Sequence, residues 1–69
     1  MNRSQIENAY TYHAPKAEQT ARYEKIRAKA RELAELIEES CPESREKRMA
    51  HMKAEEAVMW ANASIARNE

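Results

Sequence analysis

Apolar and polar positions along the chain divide it into three helical stretches, separated near its two prolines. In the middle stretch Tyr23, Ile26, Ala30, Leu33 and Ile37 recur at alternating spacings of three and four, and Gln19 continues the series toward the start. That is the narrow seam of a helix with one neighbour, and it predicts a helix over about 15–39 with Pro15 in its first turn. Upstream, Ser4-Gln5-Ile6-Glu7 fits a capping box and predicts a short helix over about 4–12, too short to stand unsupported. Downstream, Ser40-Cys41-Pro42-Glu43 supplies a break and a new start, with proline at the first turn and a second Ser-x-x-Glu box; Ser44 is the alternative N-cap. A third helix over about 42–68 follows. The short connection makes the second and third helices an antiparallel hairpin.

The third helix does not carry the single stripe of an ordinary surface helix. At 100° per residue, one face collects Ala50, Ala54, Ala57, Val58, Ala61 and Ile65, while the opposite face collects Met52, Met59, Ala63 and Ala66. A helix that is apolar on two sides needs two partners. The hairpin supplies one, and a second copy of the chain is the natural source of the other. Trp60 shares a stripe with Lys53 and Arg67 and reads as an interface anchor before it reads as a stacking platform. Met52, Met59, Trp60 and Ala63 are the expected oligomer contacts; the methionines read as gap-filling packing rather than as a ligand groove.

Composition strengthens the case for association. The chain has 69 residues and is 42% hydrophobic, but alanine supplies thirteen of those positions and there are only one Val, two Leu, four Ile and no Phe. One small domain with so few bulky residues, and no disulfide or metal staple, gains its missing burial by pairing with itself. The absence of glycine leaves little material for hairpin turns between strands, and Ala, Glu, Lys and Arg are good helix formers. The class is all-α, a single helical domain over 1–69. One cysteine excludes an internal disulfide and fits a reducing compartment. No apolar run is long enough for a signal peptide or a membrane span, so a soluble intracellular protein is expected.

Twelve basic and twelve acidic residues cancel, so no global field draws the chain to DNA or membrane. Their order is more informative. The second helix is basic first (Arg22, Lys25, Arg27, Lys29, Arg31) and acidic last (Glu32, Glu35, Glu38, Glu39), whereas the third begins with Arg45, Lys47 and Arg48 and carries Glu55 and Glu56 further on. Antiparallel folding sets each block near its complement, which selects register more than it stabilises. The same order opposes the helix dipole. Pairing with the third helix accounts for it, as would an anion bound at the start of the second.

That start is the best candidate for chemistry. Unpaired N–H groups and the positive dipole end lie beside Lys16, with Arg22 and Arg27 further along; Lys16, Tyr23 and Arg27 fall within about 40° of each other on one flank. Tyr10, Tyr12 and His13 add flat faces on which a base can stack, so cation, helix start and ring together suit a nucleotide. The ordinary alternative is that the tyrosines pack the first helix onto the hairpin while the cations are solvated. His13 and His51 are far apart and fit no metal-ligand spacing, Cys41 is alone, and no glycine loop or Ser/His/Asp set exists; neither a metal, a cofactor nor catalysis is expected.

Tyr12-His13-x-Pro15, Gln19, Arg22-Tyr23-x-x-Ile26-Arg27, Cys41-Pro42-x-Ser44-Arg45-Glu46-Lys47 and the run from Glu55 through Met59-Trp60-Ala61-Asn62-Ala63 to Asn68 resemble the phage anti-CBASS protein family of the second type. The resemblance spans about 12–69. It implies a homohexamer in the cytoplasm of the infected bacterium that sequesters cyclic dinucleotides and cyclic trinucleotides without cleaving them. It also implies an inter-protomer dinucleotide site, carried by motif position onto Tyr12, His13, Pro15 and Arg27, to which the reading of the helix start adds Lys16; the separate trinucleotide sites are assigned to Arg45 and Lys47 because the Ser-Arg-Glu-Lys motif is basic and near a helix start. One departure stands out: where the family pattern is aliphatic between Lys47 and Glu55, this chain has Arg48, Met49, Ala50, His51, Met52, Lys53 and Ala54. Other classes remain open from the residues alone. A helical module that clamps a host protein predicts a stable protein complex, a sponge for another signal such as cyclic ADP-ribose predicts a different ligand profile, and a DNA-binding regulator predicts a salt-sensitive shift of duplex DNA.

Overall fold

The computed structural model describes residues 2–69. It contains three helices, α1 (Arg3–Tyr10), α2 (Ala17–Ser40) and α3 (Arg45–Asn68), and no strand among the described residues. Helices α2 and α3 pack against each other as the expected hairpin.

The start signals are real but displaced. Asn2, not Ser4, caps α1: its side chain accepts the Gln5 N–H at 2.8 Å, and Gln5 Oε1 accepts the Asn2 N–H at 2.8 Å. Asn caps as well as Ser does, and Gln serves as well as Glu three residues on, so the earlier box forms and adds length to the helix. Thr11 ends it by donating Oγ–H to the Glu7 carbonyl. The chain then runs extended to Lys16, because Pro15 disfavours helical geometry at Ala14. Pro15 lies ahead of α2 rather than in its first turn. Lys16 is the N-cap, and its N–H donates to Gln19 Oε1 at 2.9 Å.

Helix α2 continues through Ser40, so the Ser40–Glu43 box is not used. Ser44 caps α3, accepting the Lys47 N–H at 3.1 Å while donating to the Pro42 carbonyl at 3.0 Å. On α2, Gln19 is buried and Tyr23, Ile26, Ala30 and Ile37 are half-buried, as the seam requires. Leu33 is 48% exposed and Ala34 takes the inner place. A straight helix drifts about 20° per heptad from an ideal seven-residue repeat, which moves the contact line from 33 to 34.

Each end of the hairpin is closed by charge. At the turn, the Lys47 ammonium donates to the Glu38 carbonyl at 3.1 Å and to Glu43 Oε1 at 2.7 Å, and pairs with Glu38 Oε2 at 3.2 Å. A cation from α3 thus sits on the Glu38 carbonyl in the last turn of α2, which offsets the unfavourable acidic end of that helix. His51 adds a second contact to Glu38 Oε2, at 3.1 Å. At the open end, Arg22 bonds both carboxylate oxygens of Glu69 and also pairs with Glu18, while Gln19 Nε2 donates to Glu69 at 3.3 Å.

Among the described residues no hydrophobic side chain is fully buried. Val58, Ala61 and Ile65 are half-buried against α2, whereas Met52, Met59 and Trp60 on the other side are more than half exposed. At the end of that outer side Ala63 and Ala66 are half-buried, and α1 is tied nearby by the Asn8 amide, which donates to the Arg67 carbonyl at 2.8 Å.

Candidate functional site

The extended stretch after α1 and the facing flanks of α2 and α3 enclose an open groove of about 450 Å³. Tyr12 and His13 come from the extended stretch, Tyr23 and Arg27 from α2, and Asn62, Ala63, Ala66 and Arg67 from α3. That volume lies within the range of small-ligand sites, ~300–1,000 Å³. Tyr23 and Arg27 are four residues apart on α2, so they share a flank by helix geometry. The two alanines of α3 leave the room between the elements that a larger side chain would fill.

His13 is fixed by its Nε2, which lies 2.9 Å from the Asn8 carbonyl. A carbonyl only accepts, so Nε2 carries the hydrogen, and Nδ1 is the acceptor of the neutral ring. Tyr12 is 84% exposed and reaches the groove from its rim. Arg27 is exposed and has no ion-pair partner among the described residues. Arg22, in contrast, is taken up by Glu69 and Glu18. Those bonds raise its pKa further and hold the Glu69 carboxyl down at about 2, where Arg22 acts first and Gln19 next.

The structure therefore brings together Tyr12, His13 and Arg27 of the expected dinucleotide residues. Pro15 and Lys16 lie outside the groove: Pro15 shapes the extended approach, and Lys16 caps α2 and adds its charge to the field at Glu69. Tyr10 is exposed and lines no part of it. Asn62, Ala66 and Arg67 were not singled out as site residues from the sequence. The signal available was the small outer face of α3 at Ala63 and Ala66, which reads equally as packing.

Arg45 and Lys47 are not together. Arg45 lines a shallow groove with Glu46, Met49, Ala50 and Lys53, while Lys47 is only 7% exposed and points back to the α2 terminus. Its pKa is raised by Glu43 first and then by Glu38, against the opposing effect of burial. Glu38 is held below the usual carboxylate range by His51 first and then by Lys47, and Glu56 by Lys53 and then Trp60. Of the expected oligomer contacts, Met52, Met59 and Trp60 are exposed and Ala63 lines the groove wall. Among the described residues no three His, Cys, Asp or Glu side chains converge to hold a metal ion, and no helix is long and apolar enough to cross a membrane.

The sequence matches the family described as Acb2/Tad1, hairpin domain, across residues 1–66. The chain belongs to that family. No curated protein and no solved structure matches it. The Acb2/Tad1 hairpin family is that of the anti-CBASS proteins of the second type, phage proteins that bind cyclic nucleotides. The match spans α1, α2 and most of α3, and takes in every groove residue except Arg67.

Proposed function

We propose that this chain is a phage immune-evasion protein that binds and sequesters the cyclic di- and trinucleotide messengers of the CBASS defence in the cytoplasm of the infected bacterium, without cleaving them. The observation that carries this reading is the groove itself. Two tyrosine rings and an imidazole stand beside an exposed guanidinium that has no ion-pair partner among the described residues. Rings stack bases, and arginine binds phosphate in a planar, two-pronged fashion. Membership of the Acb2/Tad1 family supports the ligand class.

In this reading Tyr12 stacks on a base and Arg27 neutralises a phosphate, with His13 and Tyr23 shaping the walls. Pro15 sets the approach of the chain, and Lys16 adds positive potential near the start of α2. A cyclic dinucleotide has two phosphates and two bases in near two-fold arrangement. A groove placed on a two-fold interface presents each ring and each cation twice. The protomer supports such an assembly because no hydrophobic side chain among the described residues is fully buried while Met52, Met59 and Trp60 are exposed. The oligomer is the hexamer that the family resemblance implies. Cyclic trinucleotides occupy separate sites, with Arg45 supplying charge at the shallow groove and Lys47 holding the turn that positions it.

The exposed Met52, Met59 and Trp60 also favour a second reading, a helical module that clamps a host protein. Titration with cyclic GMP–AMP separates the two. A sponge binds it tightly and releases it intact on denaturation, whereas an interaction module does not bind it and instead holds a host protein in a stoichiometric complex.

A further inference from the structure

Tyr12 is largely exposed, so its own side chain does not hold it at the groove. What holds it lies on either side. Helix α1 has eight residues, too few to stand alone, and the carbonyls of its last turn need donors from outside the helix. Thr11 supplies one, its hydroxyl donating to the Glu7 carbonyl. His13 supplies another, its Nε2 donating to the Asn8 carbonyl at 2.9 Å. Tyr12 stands between these two residues, so its backbone is fixed to the end of α1. The helix and the Tyr12–His13 stretch form one unit.

Little fastens that unit to the hairpin. Of residues 2–16 only Asn8, Ala9 and His13 are half-buried, and the bulky apolar side chains of α1, Ile6 and Tyr10, are exposed. Among the described residues a single hydrogen bond joins α1 to the hairpin. The Asn8 side-chain amide donates to the Arg67 carbonyl at 2.8 Å, across 59 positions of sequence. A carbonyl only accepts, so the amide nitrogen faces it and the amide oxygen cannot take its place. Arg67 lies in the last turn of α3, where carbonyls have no partner within the helix. Asn8 therefore binds at both its ends: its backbone carbonyl holds His13, and its side chain holds α3. A substitution of the side chain leaves the carbonyl, and with it the His13 bond, in place. It releases the unit from the hairpin without taking the unit apart.

We propose that Asn8 is the positioning residue of the groove: its amide, bonded to the end of α3, holds α1 so that Tyr12 and His13 stand at the groove with Tyr23 and Arg27. This role rests on the nucleotide-binding reading above and concerns how the stacking ring is presented. In an assembly whose groove is shared between copies, each protomer's Asn8 places its own Tyr12. Affinity then scales with the fraction of chains in which the unit is docked, because only those present the ring to a ligand.

The test is calorimetric titration of the full chain and of Asn8→Ala, Asn8→Asp and Asn8→Gln with cyclic GMP–AMP, beside amide hydrogen exchange of each free protein. Asn8→Ala is expected to weaken binding about tenfold, the docked fraction lost with one hydrogen bond. Asn8→Asp, which keeps the shape and loses the donor, should weaken it at least as much. Asn8→Gln, which keeps the donor on a longer arm, should bind closer to the parent. Exchange in the Ala and Asp variants should quicken over residues 3–13 and stay at parent rates in α2 and α3. Parent affinity in both of those variants overturns the positioning role and leaves the nucleotide-binding reading standing. Weakened binding with faster exchange throughout the hairpin overturns it as well, because the substitution then acts on overall stability. If the parent chain does not bind cyclic GMP–AMP, the nucleotide-binding reading fails, and the positioning role with it.

Discussion

Lys47 and Arg27 carry the same charge to different ends. Lys47 is buried, and its ammonium meets a carbonyl and two carboxylates across the turn; Arg27 is exposed at the groove and has no ion-pair partner among the described residues. The first is placed to hold the hairpin, and in the proposed function the second meets an anion. Tyr12→Ala and Arg27→Ala are each expected to lower cyclic dinucleotide affinity by at least tenfold, in line with ~1–3 kcal/mol for a stacked base, as read by calorimetry. Circular dichroism of both variants should match the parent, since neither side chain is buried. Parent affinity in both would remove the assignment. The sequence pointed to Arg27 and Tyr12 as candidates because rings and a cation near a helix start are a recognisable set, and the structure places both at one groove. It could not separate Lys47 from Arg45, because both are basic and lie in the first turn of α3. Their directions depend on which residue caps the helix: with Ser44 as N-cap, Lys47 becomes the third helical residue and turns back onto α2.

At the scale of elements, the hairpin is clasped at both ends by carboxylates whose pKa values fall on folding. Glu69 is held at about 2 and Glu38 below its usual 4.5. A group with a depressed folded pKa contributes stability above its unfolded pKa and loses it as pH falls through the folded value. The melting temperature should therefore fall as pH drops from about 4.5 toward 2, and Glu38→Gln or Glu69→Gln should flatten that fall. Lys47 works in the opposite sense: its raised pKa gives a contribution that is complete below 10.5 and is lost as pH climbs past the folded value. Lys47→Met should lower the melting temperature by several degrees at neutral pH, because it leaves the Glu38 carbonyl and the Glu38 and Glu43 carboxylates without their cation. No change in a thermal scan would contradict the clasp. Capping signals, helix periodicity and the two prolines were together enough to locate all three helices. The exact caps were not legible, because Asn2, Ser4, Ser40 and Ser44 all suit an N-cap and only the packing of the neighbouring segments chooses among them.

For the whole molecule, the absence of any fully buried hydrophobic side chain among the described residues is the physical reason to expect partners. The two-sided pattern of α3 already pointed there, and α2 covers only one of the two sides. Which copies meet is not written in one chain's periodicity, since Met52, Met59 and Trp60 suit any apolar partner. Met59→Glu and Trp60→Ala are expected to shift the assembly to smaller species in sedimentation and to make the melting temperature more dependent on protein concentration. An unchanged sedimentation profile for both would place the interface elsewhere. The central claim, that the chain sequesters a cyclic nucleotide and leaves it whole, is tested most directly by titrating the purified protein with cyclic GMP–AMP in a calorimeter, then denaturing the complex and chromatographing what is released. Tight binding and recovery of the intact ligand are expected. Absence of binding, or recovery of a linear or cleaved nucleotide, would contradict the claim.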